Sequence, residues 1–265
     1  MARILSISSQ VAFGPVGNSA AVPALQSRGH EVLALPTIIL SHHPGHGVPV
    51  ALRMPASDLA AMLSALEERG ALTSCSAVMT GYFAANDQIH GVARMLRRMK
   101  ERNPKLFVLV DPIIGDDGAL YVPLPVAEAI RDHLLPLADC ISPNRFELEW
   151  LTSRPVRGRD EAVEAARSLG LGEVLATSVP AGATQLATLA ITPSACGEQT
   201  TRLRKLAPHG TGDFLAGLYL AWRLGGETPE RSLALAMPVL QRAIELSAGS
   251  YELTISAALH GAQNQ

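Results

Sequence analysis

The 265-residue sequence has few of the features that direct a chain to an oxidising compartment, a nucleic acid or a membrane. Its 3 cysteines, Cys75, Cys140 and Cys196, are an odd number without C-x-x-C spacing, which argues against a disulfide framework. Lys plus Arg number 22 and Asp plus Glu number 24, and the formal net charge of −2 provides no field for gathering nucleic acid or an anionic bilayer. No apolar run approaches the ~18 to 20 residues that span a membrane. We therefore expect a soluble protein with neither type of partner.

The first residues also lack a secretory pattern. Met1-Ala2-Arg3 is followed by the stretch 4–7, which is too short for a signal peptide and has no A-x-A-like exit. This stretch is typical of a first strand. Together with the unpaired cysteines, it predicts a cytoplasmic protein.

Several catalytic motifs are missing as well. There is no G-x-x-x-x-G-K-[ST], H-E-x-x-H or G-x-S-x-G, and the glycines between 210 and 217 do not have the G-x-G-x-x-G spacing that follows a strand. These absences weigh against Walker ATPases, zinc hydrolases, acyl transferases and NAD dehydrogenases.

The sequence does contain a regular alternation of strand-like and helix-like segments. Because 48% of the residues are hydrophobic, the chain can bury one large core. Runs such as 107–110 carry no polar alternation, which is typical of strands buried on both faces of a parallel sheet. We predict a doubly wound α/β sandwich in a single domain, since no linker or repeat interrupts it. The predicted strands are 3–8, 31–39, 77–81, 106–111, 173–177 and 186–191, and the predicted helices are 57–69, 87–102, 124–135, 160–169 and 212–224.

The segment 115–123, GDDGALYVP, stands apart from this alternation. Two acidic residues and two glycines precede a short extended piece, a composition that predicts a mobile flap. In open α/β sheets, ligands bind beyond the carboxyl ends of the strands. We therefore expect the functional side chains directly after the predicted strands.

The most informative motif is a glycine-rich turn that leads directly into a helix. Gly210 and Gly212 have no side chain to obstruct a ligand, and the amides of Thr211, Gly212 and Asp213 belong to a first helical turn, where no intrahelical acceptor exists. These amides and the positive end of the helix dipole form a site for a phosphate or a developing anion.

Asp213 places a carboxylate inside this anion site. It would repel a permanently bound phosphate, but it can accept a proton from an attacking hydroxyl group, and the helix end should keep it ionised. The alternative is that Asp213 caps a helix whose glycines make a tight turn. The motif alone leaves both interpretations open.

Three further residues have the chemistry of a cation site. Asp111 follows a buried strand, where an isolated carboxylate is costly unless it meets a cation or hydrogen-bond donors. Asn144 and Glu147, at i and i+3 near a helix start, can share a face and address one hydrated cation. The spacing alone favours the alternative, a capping box with Asn144 as the N-cap residue and Glu147 as its partner, and only the other motifs favour the cation site.

Several segments together resemble the ribokinase-like superfamily and, within it, the pyridoxal kinase family. The resemblance runs in order from about residue 4 to residue 224. It implies a ribokinase-like three-layer sandwich with a mostly parallel central sheet, helices on both faces and a small flap. The segments that carry it are 210–213, 9–11 with 14–20, 110–116, 142–149, 81–82, 121–123 and 176–178.

The resemblance implies ATP-dependent phosphorylation of the 5′-hydroxymethyl group of pyridoxal, pyridoxine or pyridoxamine. ATP would be the co-substrate, with Mg²⁺, in a homodimer. Asp213 would act as the base, and Gly210, Thr211 and Gly212 would form the anion hole around the γ-phosphoryl group. This agrees with the argument from the helix terminus.

The resemblance also implies two sets of binding residues. Leu40 replaces an aromatic residue found in some members, and His209 stands where an apolar residue is more usual. A metal cluster of His42, His43 and His46 is a weaker alternative, because the loop lacks the helix and glutamate of a zincin. The implied vitamin-binding residues are Ser9, Val16, Leu40, His43 and Tyr82. The implied ATP-binding residues are Asp111, Asp116, Tyr121, Asn144, Glu147, Thr177 and Ser178, of which Asp111 and Glu147 would address the metal, mainly through water.

Two other functions remain open from the sequence. A hydroxymethylpyrimidine kinase of the same fold acts on another aromatic ring with a primary alcohol. A non-catalytic pyridoxal-binding protein is a second alternative, although the intact turn at 210–213 argues against it.

Overall fold

The computed structural model describes residues 1–116, 118–204 and 208–262. The strands are β1 (Arg3–Phe13), β2 (Glu31–His42), β3 (Ala51–Arg53), β4 (Cys75–Thr80), β5 (Phe107–Val110), β6 (Gly115–Asp116), β7 (Ala119–Leu120), β8 (Cys140–Ile141), β9 (Glu173–Pro180), β10 (Gln185–Ile191) and β11 (Cys196–Arg202). The helices are α1 (Asn18–Gln26), α2 (Ala56–Glu68), α3 (Asn86–Arg102), α4 (Leu124–Ala129), α5 (Arg145–Thr152), α6 (Arg159–Ser168), α7 (Thr211–Leu224), α8 (Pro229–Leu246) and α9 (Ile255–Ala262).

Nine strands form one sheet in the order β11-β10-β9-β8-β5-β4-β1-β2-β3. The six inner strands from β9 to β2 are parallel, and the outer strands β3, β10 and β11 are antiparallel to their neighbours. Because parallel strands end at the same edge, the loops after β1, β4, β5, β8 and β9 converge there. The predicted mostly parallel α/β sheet is confirmed.

Alternating side chains divide the core between the two faces of the sheet. On β4, Val78 packs into one apolar cluster, with α2 to α6, while Ala77 and Met79 pack into the other, with α1, α7, α8 and α9. A helix layer therefore covers each face, as predicted. Cys75 and Cys140 are buried within these clusters.

The predicted helix 124–135 is interrupted. The α-helix ends at Ala129, a π-helical turn occupies Ile130–Leu134, and a 3₁₀ turn follows at Leu135–Leu137. Pro136 lies inside the 3₁₀ turn, and its ring nitrogen cannot donate the hydrogen bond that would continue an α-helix beyond Leu135.

The flap is a two-stranded hairpin in which β6 pairs with β7. Its base lies against α5, because a Cβ on Gly115 would be only 2.3 Å from the Phe146 ring. Asp117 lies outside the described residues. The mobility of the flap stays a prediction.

Across the described ranges, the helices are too short or too polar to cross a bilayer.

Candidate active site

The glycine turn lies before α7 and faces open space on one side. Gly210 has φ 86° and ψ 4°, and a Cβ on it would be 1.9 Å from the carbonyl oxygen of Pro15, so only glycine fits. A Cβ on Gly212 would meet no heavy atom within 4 Å. The amide of Phe214 donates to the oxygen of Gly210 at 3.0 Å, so the amides of 211–213 precede the first such bond of the helix. The turn can therefore receive an anion.

Asp213 is the third residue of α7 rather than its cap. Gly210 is the N-cap residue, and it makes no side-chain capping bond. Burial raises the pKa of the Asp213 carboxyl group to about 6, while the backbone amides of Gly17 and of Asp213 itself oppose this rise. The helix end was expected to keep the carboxyl group ionised, but burial has the larger effect. A carboxyl group with this pKa is mainly ionised at neutral pH and is more basic than an exposed aspartate, which suits a proton acceptor.

Asp111, Glu147 and Asp213 form a carboxyl cluster at the carboxyl edge of the sheet. Burial, followed by the charges of Asp213 and Glu147, raises the pKa of Asp111 well above its usual range. Burial also raises the pKa of Glu147 to about 7, although backbone amides oppose it. Asp111 and Glu147 are buried and Asp213 is half-buried, and the repulsion of Asp111 by the other two favours either protons or a cation.

Asn144 and Glu147 form a capping box at the start of α5. The Asn144 side-chain oxygen accepts from the Glu147 amide at 2.9 Å, and Glu147 Oε2 accepts from the Asn144 amide at 2.9 Å. Glu147 Oε1 accepts from the Ile114 amide at 2.8 Å, and Asn144 Nδ2 donates to the Gly115 oxygen at 2.8 Å. The capping interpretation is confirmed. The same two side chains also hydrogen-bond the base of the flap and so connect it to α5.

Two residues that support this arrangement were not identified from the sequence. Ile113 has φ 44°, a conformation that costs a β-branched residue roughly 1–3 kcal/mol, and it precedes the amide that Glu147 binds. Gly17 has φ 57°, and a Cβ there would be 2.2 Å from Ser9 Oγ. Gly17 had a usable signal, since it is a glycine within the segment 14–20. Ile113 had none.

The remaining predicted ATP-binding residues lie along the same edge or in the flap. Thr177 donates its amide to the Pro143 oxygen at 2.9 Å and forms a β-bridge with Asn144. Ser178 has φ 58°. Asp116 lies in β6, and Tyr121 follows β7 with its side chain exposed. Contact of these four residues with a nucleotide stays a prediction.

Three of the residues expected to bind the vitamin lie together, and their contact with a vitamin stays a prediction. Val16 and Leu40 are buried in one apolar cluster, and Tyr82 packs against it. The backbone of Tyr82 is fixed on both sides: its amide donates to Ser8 Oγ at 3.1 Å, and its oxygen accepts from Thr37 Oγ1 at 2.7 Å. Ser9, by contrast, lies against Gly17. The backbone amide of Gly17 in turn donates to the Asp213 carboxyl group.

His43 is held in one tautomer. Its Nδ1 accepts from the Gly45 amide at 3.1 Å, so a neutral ring carries its proton on Nε2. Burial, followed by the charges of His209 and His46, lowers the pKa of His43 to about 4. In the part of the chain that the structure describes, no group of three or more His, Cys, Asp or Glu side chains could hold a metal ion.

Comparison with known proteins identifies the family. The sequence model of the phosphomethylpyrimidine kinase family matches residues 22–256. A pyridoxine/pyridoxal/pyridoxamine kinase from Bordetella avium is 37% identical over 250 residues, which cover 91% of this chain and 84% of that protein. The chain belongs to the pyridoxal kinase family.

Solved structures agree with this family and with the ribokinase-like fold. Pyridoxal kinase from Entamoeba histolytica has a TM-score of 0.93 at 26% identity, covering 99% of this chain and 96% of that one. Pyridoxal kinase from Leishmania donovani in complex with ADP and pyridoxamine has a TM-score of 0.91 at 29% identity, with coverage of 99% and 96%. The predicted fold and family are confirmed, and the chain is a kinase.

Proposed function

We propose that this kinase transfers the γ-phosphoryl group of ATP to the 5′-hydroxymethyl group of pyridoxal, pyridoxine or pyridoxamine. The single observation that carries this proposal is the open glycine turn, in which Asp213 presents a carboxyl group with a pKa of about 6. The similar kinase from Leishmania donovani binds ADP and pyridoxamine, which supports the same pair of substrates here.

In this reaction the vitamin hydroxyl oxygen attacks the γ-phosphorus of ATP. The new oxygen–phosphorus bond forms as the bond to the β–γ bridging oxygen breaks, and ADP leaves. Asp213 accepts the hydroxyl proton. The amides of Thr211 and Gly212 stabilise the charge on the transferred group, in a transition state that depends mainly on positioning and charge neutralisation.

Part of the carboxyl cluster suits Mg²⁺, although no three of the described acidic side chains are placed to hold a metal ion by themselves. Its oxygen ligands are of the type that Mg²⁺ prefers, and its excess negative charge would be relieved by a divalent cation. Glu147 already accepts backbone amides with both oxygens, so it orients the site and would act on a metal only through water. Asp111 would therefore be the residue nearest the metal, with water and ATP oxygens completing the coordination. When bound, Mg²⁺ neutralises charge on the ATP phosphates.

The family resemblance also supports a homodimer in the cytoplasm. Sedimentation equilibrium of the purified protein would give about twice the 28.0 kDa chain mass if this is right, and the chain mass if it is wrong.

The competing substrate is hydroxymethylpyrimidine, and the match to the phosphomethylpyrimidine kinase family supports this alternative. A kinase assay that resolves the products of the three vitamers and of hydroxymethylpyrimidine tests the proposal. We expect the highest kcat/KM with a vitamin B6 vitamer. A higher value with the pyrimidine would reject the proposed substrate, and binding of vitamers without phosphate transfer would reject catalysis.

A further inference from the structure

Segments that are distant in sequence meet in a group of rings beside the glycine turn. We call it the histidine cluster and define it as His43, His46, His209, Tyr251 and Glu252. It joins the turn after β2, the residue before the glycine turn and the segment between α8 and α9. Tyr251 and Glu252 had no place among the predicted site residues.

His209 is the central ring of this cluster. Its centroid is 4.0 Å from that of His43, with 30° between the planes, and 6.0 Å from that of Tyr251, with 17° between the planes. His46 meets both His209 and Tyr251 edge-on at 6.4 Å. The result is a continuous stack from Tyr251 through His209 to His43, braced from one side by His46.

Backbone contacts fix His209 in place. Its amide donates to the Tyr251 oxygen at 2.8 Å, and it forms a β-bridge with Glu252. Glu252 Oε1 lies 3.3 Å from His46 Nε2. A Cβ on Gly45 would be 2.6 Å from His209 Nε2, so the turn after β2 approaches the imidazole as closely as a glycine allows.

This packing borders residues of the proposed reaction. His209 directly precedes Gly210, where a Cβ would be 1.9 Å from the Pro15 carbonyl oxygen. His43 lies against Gly14, since a Cβ there would be 3.4 Å from the His43 Cβ. A shift of His209 would therefore move the turn at 43–46 relative to the anion site at 210–213.

We propose that His209 and Tyr251 are positioning residues for the vitamin, whose stack holds the turn at 43–46 against the glycine turn. Tyr251 acts through His209 and does not itself contact the substrate. The proposal rests on the proposed function for the identity of that substrate.

The cluster should loosen when a second imidazole is protonated. The groups facing His209 are His43 and His46 from one turn and Tyr251 and Glu252 from the other segment, and the single carboxylate can neutralise only one imidazolium. Burial lowers the pKa of both His43 and His209 below the ordinary 6.5. The unfolded chain thus binds more protons than the folded one, and the stack loses stability as the pH falls from 6.5 toward about 4, the pKa of His43.

Steady-state kinetics of Tyr251→Ala and His209→Ala test the proposal. Removal of either ring should raise the KM for pyridoxal about tenfold while changing the KM for ATP and kcat less than about threefold. Tyr251→Phe is the matched control, since it keeps the ring, and it should restore the wild-type KM. Because the stack acts as a unit, the double alanine variant should be little worse than either single variant.

His209→Phe separates stacking from titration and also covers the case in which the alanine variants do not fold. It should keep a near-normal KM for pyridoxal at pH 7.5 and show a weaker rise of the KM for pyridoxal between pH 6.5 and 5 than the wild type shows. An unchanged KM for pyridoxal in Tyr251→Ala would overturn the proposal, and so would an equally large increase in its KM for ATP. A rise of the KM for pyridoxal between pH 6.5 and 5 that is as large in His209→Phe as in the wild type would also overturn it. The KM is measured with whichever alcohol the wild-type enzyme phosphorylates, so a wrong substrate assignment is recognised separately.

Discussion

The carboxyl cluster and the histidine cluster flank the same glycine turn, and burial favours the uncharged form of Asp213 and Glu147 in the first and of His43 and His209 in the second. In the carboxyl cluster, burial raises the pKa of Asp213 to about 6 and that of Glu147 to about 7. In the histidine cluster, burial lowers the pKa of His43 to about 4. The difference lies in how each cluster is satisfied. The imidazoles stack on one another, whereas the carboxyl groups repel one another.

This contrast assigns a different role to each of the two clusters beside the glycine turn. The carboxyl cluster is built for ligands that bring positive charge or a proton. The histidine cluster is held together mainly by stacked rings, with the Glu252 carboxylate beside His46, and its contribution is one of shape. Changes in the first should therefore alter turnover and the response to cations, while changes in the second should alter binding of the ring.

Asp213→Asn should have the largest effect. The amide cannot accept the hydroxyl proton, so kcat should fall by about 10²- to 10⁴-fold, with ATP binding retained. Stopped assays for kcat and fluorescence titration with ATP would measure both. Asp58→Asn is a matched control, because Asp58 is also the third residue of its helix but is exposed on α2. Near-normal turnover of Asp213→Asn would remove Asp213 from its role as base.

Glu147→Gln should destabilise the protein by about 1–3 kcal/mol, because the new amide nitrogen must face a backbone donor that the carboxylate accepted. Urea denaturation would measure the free energy of unfolding. Glu149→Gln is the control: Glu149 accepts the backbone amide of Val156 at 2.8 Å with one oxygen, so the cost should be smaller. Equal losses in both variants would show that the double anchoring of Glu147 to α5 and the flap is unimportant.

The elements and residues that sequence reasoning could predict are those with a local signal. Asp111 was found because a lone carboxylate follows an apolar strand, and the glycine turn because two glycines lead directly into a helix with free first-turn amides. The strand β8 has only the two residues Cys140–Ile141, too few for a periodicity. The edge strand β11 is mostly polar. Ile113 has a positive φ beside the Ile114 amide that Glu147 of α5 accepts, and a β-branched residue gives no local signal for that conformation.

The pH dependence of stability should distinguish the two clusters. A raised carboxyl pKa means that the folded state binds more protons, so the carboxyl cluster contributes most stability at low pH and loses it as the pH rises from about 4 to 7. Saturating Mg²⁺ should reduce that loss. Asp111→Asn should increase the free energy of unfolding without Mg²⁺ at pH 7.5 by about 1 kcal/mol and weaken the response to Mg²⁺. Thermal unfolding at pH 5 and 7.5, with and without Mg²⁺, would measure this, and a metal response equal to that of the wild type would contradict the role of Asp111.

Gly212→Ala should have the smallest effect on stability. Gly212 lies inside a helix with open space around its Cβ position, so alanine should stabilise the protein by up to about 1 kcal/mol through helix propensity. The same methyl group would project beside the amides that are proposed to face the γ-phosphoryl group, and kcat should fall while the KM for pyridoxal stays near normal. Gly210→Ala is the comparison, since its Cβ would collide with the Pro15 oxygen and should cost stability outright. If Gly212→Ala instead raised the KM for pyridoxal and left kcat intact, the open face of the turn would belong to the ring side, and the division of work between the two clusters would be wrong.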